Sequence, residues 1–461
     1  MLAPVNPTTG QPLAQVASLT LPECNRAIDK TYEAFPAWRD TSITERASAL
    51  MRIAASLRKS KNTLAKLMAQ EMGKPLCEGI AEVEKSAACA EYYTNNSADF
   101  LKPETLESDA AYSYVTYQPL GTILGILPWN APVWLALRFL APALMAGNTC
   151  VMKADPNVPA TAAALTAAFN SAGLPKNVMT NLPIETELVG EAIDHPAVKA
   201  VSFTGSSAAG KKVAARAAGG IKPAVLELGG SDPCIVLADA NLDKACNVIT
   251  LSRMINAGQS CIAAKRVIVE ASIYDDVCNR LFKIFSTITM GDPSQSSTSE
   301  CTALPYAMGP IARKDLQTQL HQQVNQTIQS GARCIHGGDL PSTSGFFYPP
   351  TLLIDVQPEM SAFTEETFGP VLAIIKANDF EHAIQLANKT EYGLGASIWT
   401  ADKTKAELAA NKLQAGQVAV NGIVKTDPRL PSGGIGLSGY GRELGPQGIK
   451  EFVNVKQVWV G

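Results

Sequence analysis

Thr122-Ile123-Leu124-Gly125-Ile126-Leu127 is an apolar run bounded by Gly121 and Pro128, and it leads into Trp129-Asn130-Ala131-Pro132. A run this short between turn formers predicts a strand buried on both faces, with a sharp turn at its carboxyl end. Residues 132–146 then predict a helix, and Thr149–Lys153 a second strand. The alternation continues with a helix over 161–172, a short strand over 178–180, a strand over 199–203 and a helix over 207–218. Strands alternating with helices imply right-handed crossovers and a parallel sheet, so the fold class is α/β. Ligands in such sheets bind beyond the carboxyl ends of the strands.

Upstream, residues 27–38, 43–70 and 80–100 carry apolar positions at spacings near three and four and predict helices, with a break at Glu71-Met72-Gly73-Lys74-Pro75. Residues 112–117 alternate like a strand with one wet face. A second alternating α/β stretch covers about 230–430, with strands at 266–270 and 371–375. Residues 451–460 predict a terminal strand, an element that often pairs with another chain or a distant edge. At 461 residues the chain is too long for one ordinary core, and two large lobes are expected. Its 39 basic and 42 acidic residues leave a net charge of −3, which argues against a nucleic-acid partner. The N-terminus lacks a basic-then-apolar signal pattern, and the apolar run 131–146 is interrupted by Pro132, Arg138 and Pro142, so no membrane span is expected. Ten scattered cysteines without metal-type spacing suggest reduced thiols and a cytoplasmic setting. With only four histidines, neither a catalytic metal nor a histidine-based triad is expected.

Two glycine-rich segments imitate phosphate motifs. Gly434-Ile435-Gly436-Leu437-Ser438-Gly439 has the dinucleotide spacing but follows no strand and opens no βαβ unit, so a flexible glycine loop is expected there. Gly205 to Lys212 follows a strand and opens a helix, yet Lys212 stands where a P-loop needs Ser or Thr for Mg²⁺. Free N–H groups at Gly205, Ser206 and Ser207 would still favour a phosphate at that helix N-terminus.

Three turns each expose one polar or reactive side chain: Asn130 in Pro128-Trp129-Asn130, Glu227 in Glu227-Leu228-Gly229-Gly230, and Cys261 in Gly258-Gln259-Ser260-Cys261. Singly each has a plain alternative: a buried small cysteine, a surface glutamate, an asparagine bonded to its own turn. Together, and in order with Phe203-Thr204-Gly205-Ser206, Glu366-Thr367-Phe368-Gly369-Pro370 and Gly439-Tyr440-Gly441-Arg442-Glu443, they resemble the aldehyde dehydrogenase superfamily over nearly the whole chain. Within it, Lys425 to Pro431 and Glu391 to Ser397 look most like bacterial succinate-semialdehyde dehydrogenases.

The resemblance implies a Rossmann-type cofactor-binding domain over 1–102 and 120–228, a catalytic α/β domain over 229–432, and oligomerisation strands over 103–119 and 445–461 of a homodimer or homotetramer. It implies that Cys261 attacks the aldehyde, that Asn130 and the Cys261 backbone N–H hold the oxyanion, and that Glu227 activates the water that hydrolyses a thioester. Glu227 relaying the thiol proton as well remains open. For the cofactor, it implies that Ile126, Trp129 and Lys153 line the site, with Lys153 on the adenosine ribose. It places Gly205 and Ser206 at the pyrophosphate, Glu366 on the nicotinamide ribose and Phe368 near the nicotinamide. Pro156 stands where NAD-preferring relatives often carry a glutamate that repels a 2′-phosphate, which favours NADP or dual use, although Asp155 is a nearby acid.

Arg138, on an otherwise apolar helix, is costly to bury unpaired and is expected to bind a substrate carboxylate, the alternative being an ion pair with a protein acid. The resemblance adds Thr426 as a second carboxylate ligand. Ser432, in place of the usual phenylalanine, either touches substrate or fills its loop. Ile255 replaces a second arginine, and Ala263 replaces a second cysteine, so no local redox switch is expected. The expected activity is NAD(P)-dependent oxidation of succinate semialdehyde. A broad-specificity or aromatic aldehyde dehydrogenase, a P-loop-like nucleotide triphosphatase and a lens-type structural relative remain as alternatives.

Overall fold

The computed structural model describes residues 1–295 and 307–461. Across its first sheet run Gly439–Tyr440, Ala224–Glu227, Val198–Thr204, Thr122–Ile126, Thr149–Lys153 and Met179–Asn181. All neighbours are parallel except Gly439–Tyr440, which lies antiparallel to Ala224–Glu227. From Thr122–Ile126 the chain steps outward to Thr149–Lys153 and Met179–Asn181. It then returns to Val198–Thr204 on the other side, so the strand order reverses beside the run that opened the sequence. A crevice beyond the carboxyl ends follows from that reversal.

The pleat explains why these strands carry so few polar residues. Ile123, Cys150, Met152, Ala200 and Val225 enter one core, while Leu124, Val151, Val201 and Leu226 enter another on the opposite face. The first core also holds Ile43–Met72, Leu76–Phe100 and Pro132–Met145, the last buried along its whole length. The helix predicted over 27–38 begins earlier, at Leu21, under a Thr20–Glu23 capping box. It ends at Glu33, and Phe35–Arg39 is a separate short helix with Pro36 in its first turn, where a missing N–H is tolerated. The third helix starts at Leu76 instead of residue 80.

The second sheet runs Arg333–His336, Thr351–Ile354, Val371–Ala377, Arg266–Glu270, Pro233–Val236, Gly395–Trp399 and Gln417–Val420, parallel apart from its first pair. The terminal strand, Val453–Val460, finds its partner within the chain. It pairs antiparallel with Tyr112–Pro119, from Tyr112 opposite Val460 to Pro119 opposite Val453. The segment expected to be a flexible glycine loop is instead two short paired strands, Ile435–Gly436 and Gly439–Tyr440. Gly439 has φ +105°, and a Cβ there would lie 2.0 Å from the Leu226 carbonyl oxygen, so its glycine serves a close backbone approach. Cys77 is disulfide-bonded, a departure from the expectation of reduced thiols. Among the described residues no helix is long and apolar enough to cross a membrane, and no group of three His, Cys, Asp or Glu side chains could hold a metal ion.

Candidate active site

Two turns from different sheets meet at the crevice. The first follows Thr122–Ile126 and carries Asn130; the second follows the Leu242–Met254 helix and carries Cys261. In the second, Asn256, Ala257 and Gly258 all have left-handed φ, at 55°, 54° and 74°. Such a run is unfavourable for residues with a Cβ and persists only where surroundings over-determine it. They do. Asn256 N donates to Glu78 Oε2 at 2.8 Å, Gln259 Nε2 donates to Asn256 O at 3.0 Å, and Gln259 Oε1 accepts from Ala312 N at 2.8 Å. Arg253 donates to the carbonyls of Gly258 and Ala264, and Lys265 Nζ donates to those of Ser260 at 3.0 Å and Cys261 at 2.6 Å.

The same bonds join the two turns. Asn130 Nδ2 donates to Gln259 O at 3.1 Å, while Asn130 O accepts from Asn256 Nδ2 and from Lys74 Nζ, each at 2.9 Å. One hydrogen of the Asn130 amide is thereby committed, and an amide nitrogen carries two. Lys74 is itself paired with Glu82, whose Oε1 accepts from Val133 N at 2.8 Å and Trp134 N at 3.0 Å. Glu82 so caps the helix Pro132–Met145, whose own N-cap residue is Ala131. No sequence motif pointed to a role for Lys74, Glu82 or Lys265, and Asn256 opened the Cys261 segment without a role of its own. Their roles come from bonds to backbone groups, non-local for Lys74, Glu82 and Asn256 and within the turn for Lys265.

Glu227 ends the strand Ala224–Glu227. Three residues on, a Cβ on Gly230 would come within 2.9 Å of the Cys261 carbonyl oxygen, so this glycine lets the Glu227 turn and the Cys261 turn touch. Glu227 is buried, and burial pushes its carboxyl well above the usual range, against the pull of Arg138. The half-buried Cys261 thiol is pushed up to about 12, again chiefly by burial; Lys265 and Arg138 draw it down while Glu227 and Glu366 push it up. At rest the sulfur holds its proton, and the Glu227 carboxyl has a raised proton affinity.

Arg138 departs from its expected role. Expected to take its anionic partner from a substrate, it takes it from the protein: Nε and Nη2 both reach Glu443, and Nη2 lies 3.4 Å from Glu227 Oε1. Ser202 Oγ donates to the other Glu443 oxygen at 3.3 Å. The reason is the burial of its helix. At 3 % exposure the guanidinium needs a counterion inside the fold, and Glu443 and Glu227 each bring one. Glu443 stood in a quoted motif without a role; a lone arginine on a wholly apolar helix was the signal that an acid must face it. Thr426, expected beside Arg138, accepts from Lys85 Nζ at 2.6 Å. Ser432 is buried, bridges to Glu443 through both backbones, and accepts from Gln417 Nε2 at 3.4 Å.

The expected cofactor side lies along the carboxyl ends of the first sheet. Lys153 is 5 % exposed, its ammonium lowered by burial, and it forms no ion pair or side-chain hydrogen bond among the described residues. Asp155 Oδ1 accepts from Asn157 N at 2.9 Å, which ties that acid to its own turn, and Pro156 brings no carboxylate. The Gly205 N–H, expected to be free, donates to Glu227 O at 3.0 Å. Ser206 caps the helix Ser207–Gly219 by accepting from Ala209 N at 3.3 Å. Lys211 and Lys212 are exposed on that helix. Ile126 and Trp129 are nearly buried, and Trp129 meets Phe368 edge-on with centroids 5.9 Å apart. Glu366 Oε1 accepts from Gly230 N at 3.1 Å and lies 3.2 Å from Lys265 Nζ.

The model of the Aldehyde dehydrogenase family matches residues 2–458. A probable NADP+ succinate-semialdehyde dehydrogenase of Synechocystis is 43% identical over 459 residues, covering 100% of this chain and 99% of the relative. An NAD(P)+ succinate semialdehyde dehydrogenase of Escherichia coli is 40% identical over 455 residues, with 99% and 97% covered. Among solved structures, succinic semialdehyde dehydrogenase from Streptococcus pyogenes in complex with NADP+ superposes with TM-score 0.94 at 32% identity, covering 99% of each chain. Lactaldehyde dehydrogenase from Escherichia coli superposes with TM-score 0.95 at 35% identity, covering 99% of this chain and 95% of that one.

Proposed function

Because the chain belongs to the aldehyde dehydrogenase family, we propose that it oxidises succinate semialdehyde to succinate with NADP+ or NAD+, through a thioester on Cys261. The observation that carries this reading is the junction of the Asn130, Glu227 and Cys261 turns, two of them from the first sheet and one from the second. Glu227, with its raised proton affinity, takes the thiol proton, and the thiolate adds to the aldehyde carbon. The oxyanion of that adduct receives the uncommitted Asn130 amide hydrogen and the Cys261 backbone N–H. A bound nicotinamide dinucleotide supplies the two-electron oxidation of the adduct to the thioester. Once Glu227 has released that first proton to solvent, its carboxylate takes a proton from the water that hydrolyses the thioester, and Arg138 with Glu443 holds the carboxylate in place.

The residues fit such a cofactor. Lys153 is a buried cation left without an internal acid at a strand end, suited to a ribose hydroxyl or a 2′-phosphate. Asp155 is tied to its turn and Pro156 carries no charge, which supports NADP or dual use. Gly205 and Ser206 would hold the pyrophosphate and Glu366 the nicotinamide ribose, with Ile126, Trp129 and Phe368 as the apolar wall. On this reading residues 1–102 and 120–228 bind the cofactor and 229–432 carry the catalysis. The exposed Val455, Trp459 and Val460 on the terminal strand support assembly into a homodimer or homotetramer.

The pairing of Arg138 inside the protein favours one second reading, an enzyme for a broader range of aldehydes. Turnover of succinic semialdehyde, butanal and benzaldehyde with each cofactor, followed by the absorbance of the reduced nicotinamide, separates the two. A strong preference for the ω-carboxylate is expected, and equal kcat/KM across the panel would overturn the substrate assignment.

A further inference from the structure

We propose that Lys85, assisted by the Thr426 hydroxyl, is the receptor for the far carboxylate of the substrate; this deepens the succinate-semialdehyde reading and rests on it. Lys85 projects from the Leu76–Phe100 helix onto the Pro132–Met145 helix, its ammonium 4.1 Å from the centroid of the Trp134 ring. Its hydrogen-bond acceptor is Thr426 Oγ1 at 2.6 Å, and it forms no ion pair among the described residues. Accepting from Lys85 leaves the Thr426 O–H free to donate, so ammonium and hydroxyl together offer two donors to a carboxylate.

The neighbours explain why the counterion must come from outside. Four titratable groups act on Lys85: Arg138, Glu82, Cys89 and Asp427. Glu82 is committed to Lys74 and to the N–H groups of Val133 and Trp134. Asp427 is committed to Arg429 through Nε at 2.8 Å and Nη2 at 2.6 Å. The Cys89 thiol is buried and pushed up to about 12, so it is neutral. Arg138, one helical turn from Trp134, repels the ammonium. Burial together with Arg138 draws Lys85 down to about 8, the signature of a cation short of an anion. Arg138 also links the two ends of the site, since its charge is felt at Cys261 as well as at Lys85. A short chain with an aldehyde at the sulfur and a carboxylate at Lys85 would lie along that guanidinium.

The test is kcat/KM of Lys85→Met and Lys85→Arg for succinic semialdehyde and for butanal, with wild type alongside at saturating cofactor. Lys85→Met should lose on the order of 30- to 100-fold for succinic semialdehyde, mostly in KM, and hold or gain for butanal. Lys85→Arg, which keeps the charge, should recover most of the loss. Thr426→Val should lose about fivefold on the charged substrate alone. If wild type prefers succinic semialdehyde and Lys85→Met keeps that preference, the receptor assignment fails while the substrate assignment stands. Equal losses on both aldehydes would make Lys85 a structural residue. A wild type without the preference overturns both.

Discussion

Arg138, buried, and Lys85, partly buried, are cations on facing helices, and they are treated in opposite ways. Arg138 is enclosed by Glu443 and Glu227, while Lys85 has one hydroxyl and an aromatic face. Lys153, on the cofactor side, resembles Lys85 in lacking an internal acid. Other buried cations fall with Arg138: Lys74 has Glu82, Lys265 has Glu366, and Arg266 has the carbonyls of Ser231, Leu386 and Ala387. A cation answered within the fold holds structure together. One left unanswered is available to an anionic ligand, because burying it without a counterion costs stability that only a partner returns.

The largest effect expected is from Cys261→Ala, which leaves every cation in place and removes the chemistry. Aldehyde oxidation should fall by about ten-thousandfold or more, while cofactor binding, read by fluorescence titration, persists. Retained turnover would exclude Cys261 as the nucleophile. Glu443→Leu would instead break the contrast, turning Arg138 into an unanswered cation. A loss of about 3–5 kcal/mol is expected in denaturant unfolding, largely recovered when Arg138→Met is added. An unchanged midpoint would mean that Glu227 alone satisfies the guanidinium.

Glu227→Gln tests the other acid facing Arg138. Thioester hydrolysis should slow by about a hundredfold, and mass spectrometry of the enzyme mixed with substrate should find an acyl adduct on Cys261. A slowed variant without adduct would move Glu227 to the thiol proton transfer alone. The smallest effect sharpens the comparison at Lys153. Pro156→Glu would bring a carboxylate toward that lysine and toward any 2′-phosphate. Affinity for NADP+ should fall relative to NAD+ by about 1–3 kcal/mol. Unchanged relative affinities would mean that the 2′-phosphate lies away from residue 156.

Much of this was legible locally. The run at Thr122–Ile126 announced a parallel sheet because a strand covered on both faces has few places for polar residues. Gly230 marked the Glu227 turn because a close approach by the Cys261 backbone forbids a side chain there. Helix starts were less legible: Leu21 and Leu76 lie outside the apolar periodicity that predicts them.

Sequence alone determined the parallel α/β layout, the family resemblance and the three turns that carry Asn130, Glu227 and Cys261. These depend on residue types within a few positions of one another, where periodicity and turn chemistry act. Only the tertiary structure decided who neutralises whom. Glu443 lies 305 residues from Arg138, and Thr426 lies 341 residues from Lys85. Charge pairing depends on distance in space and on burial, and neither is written in the spacing along the chain.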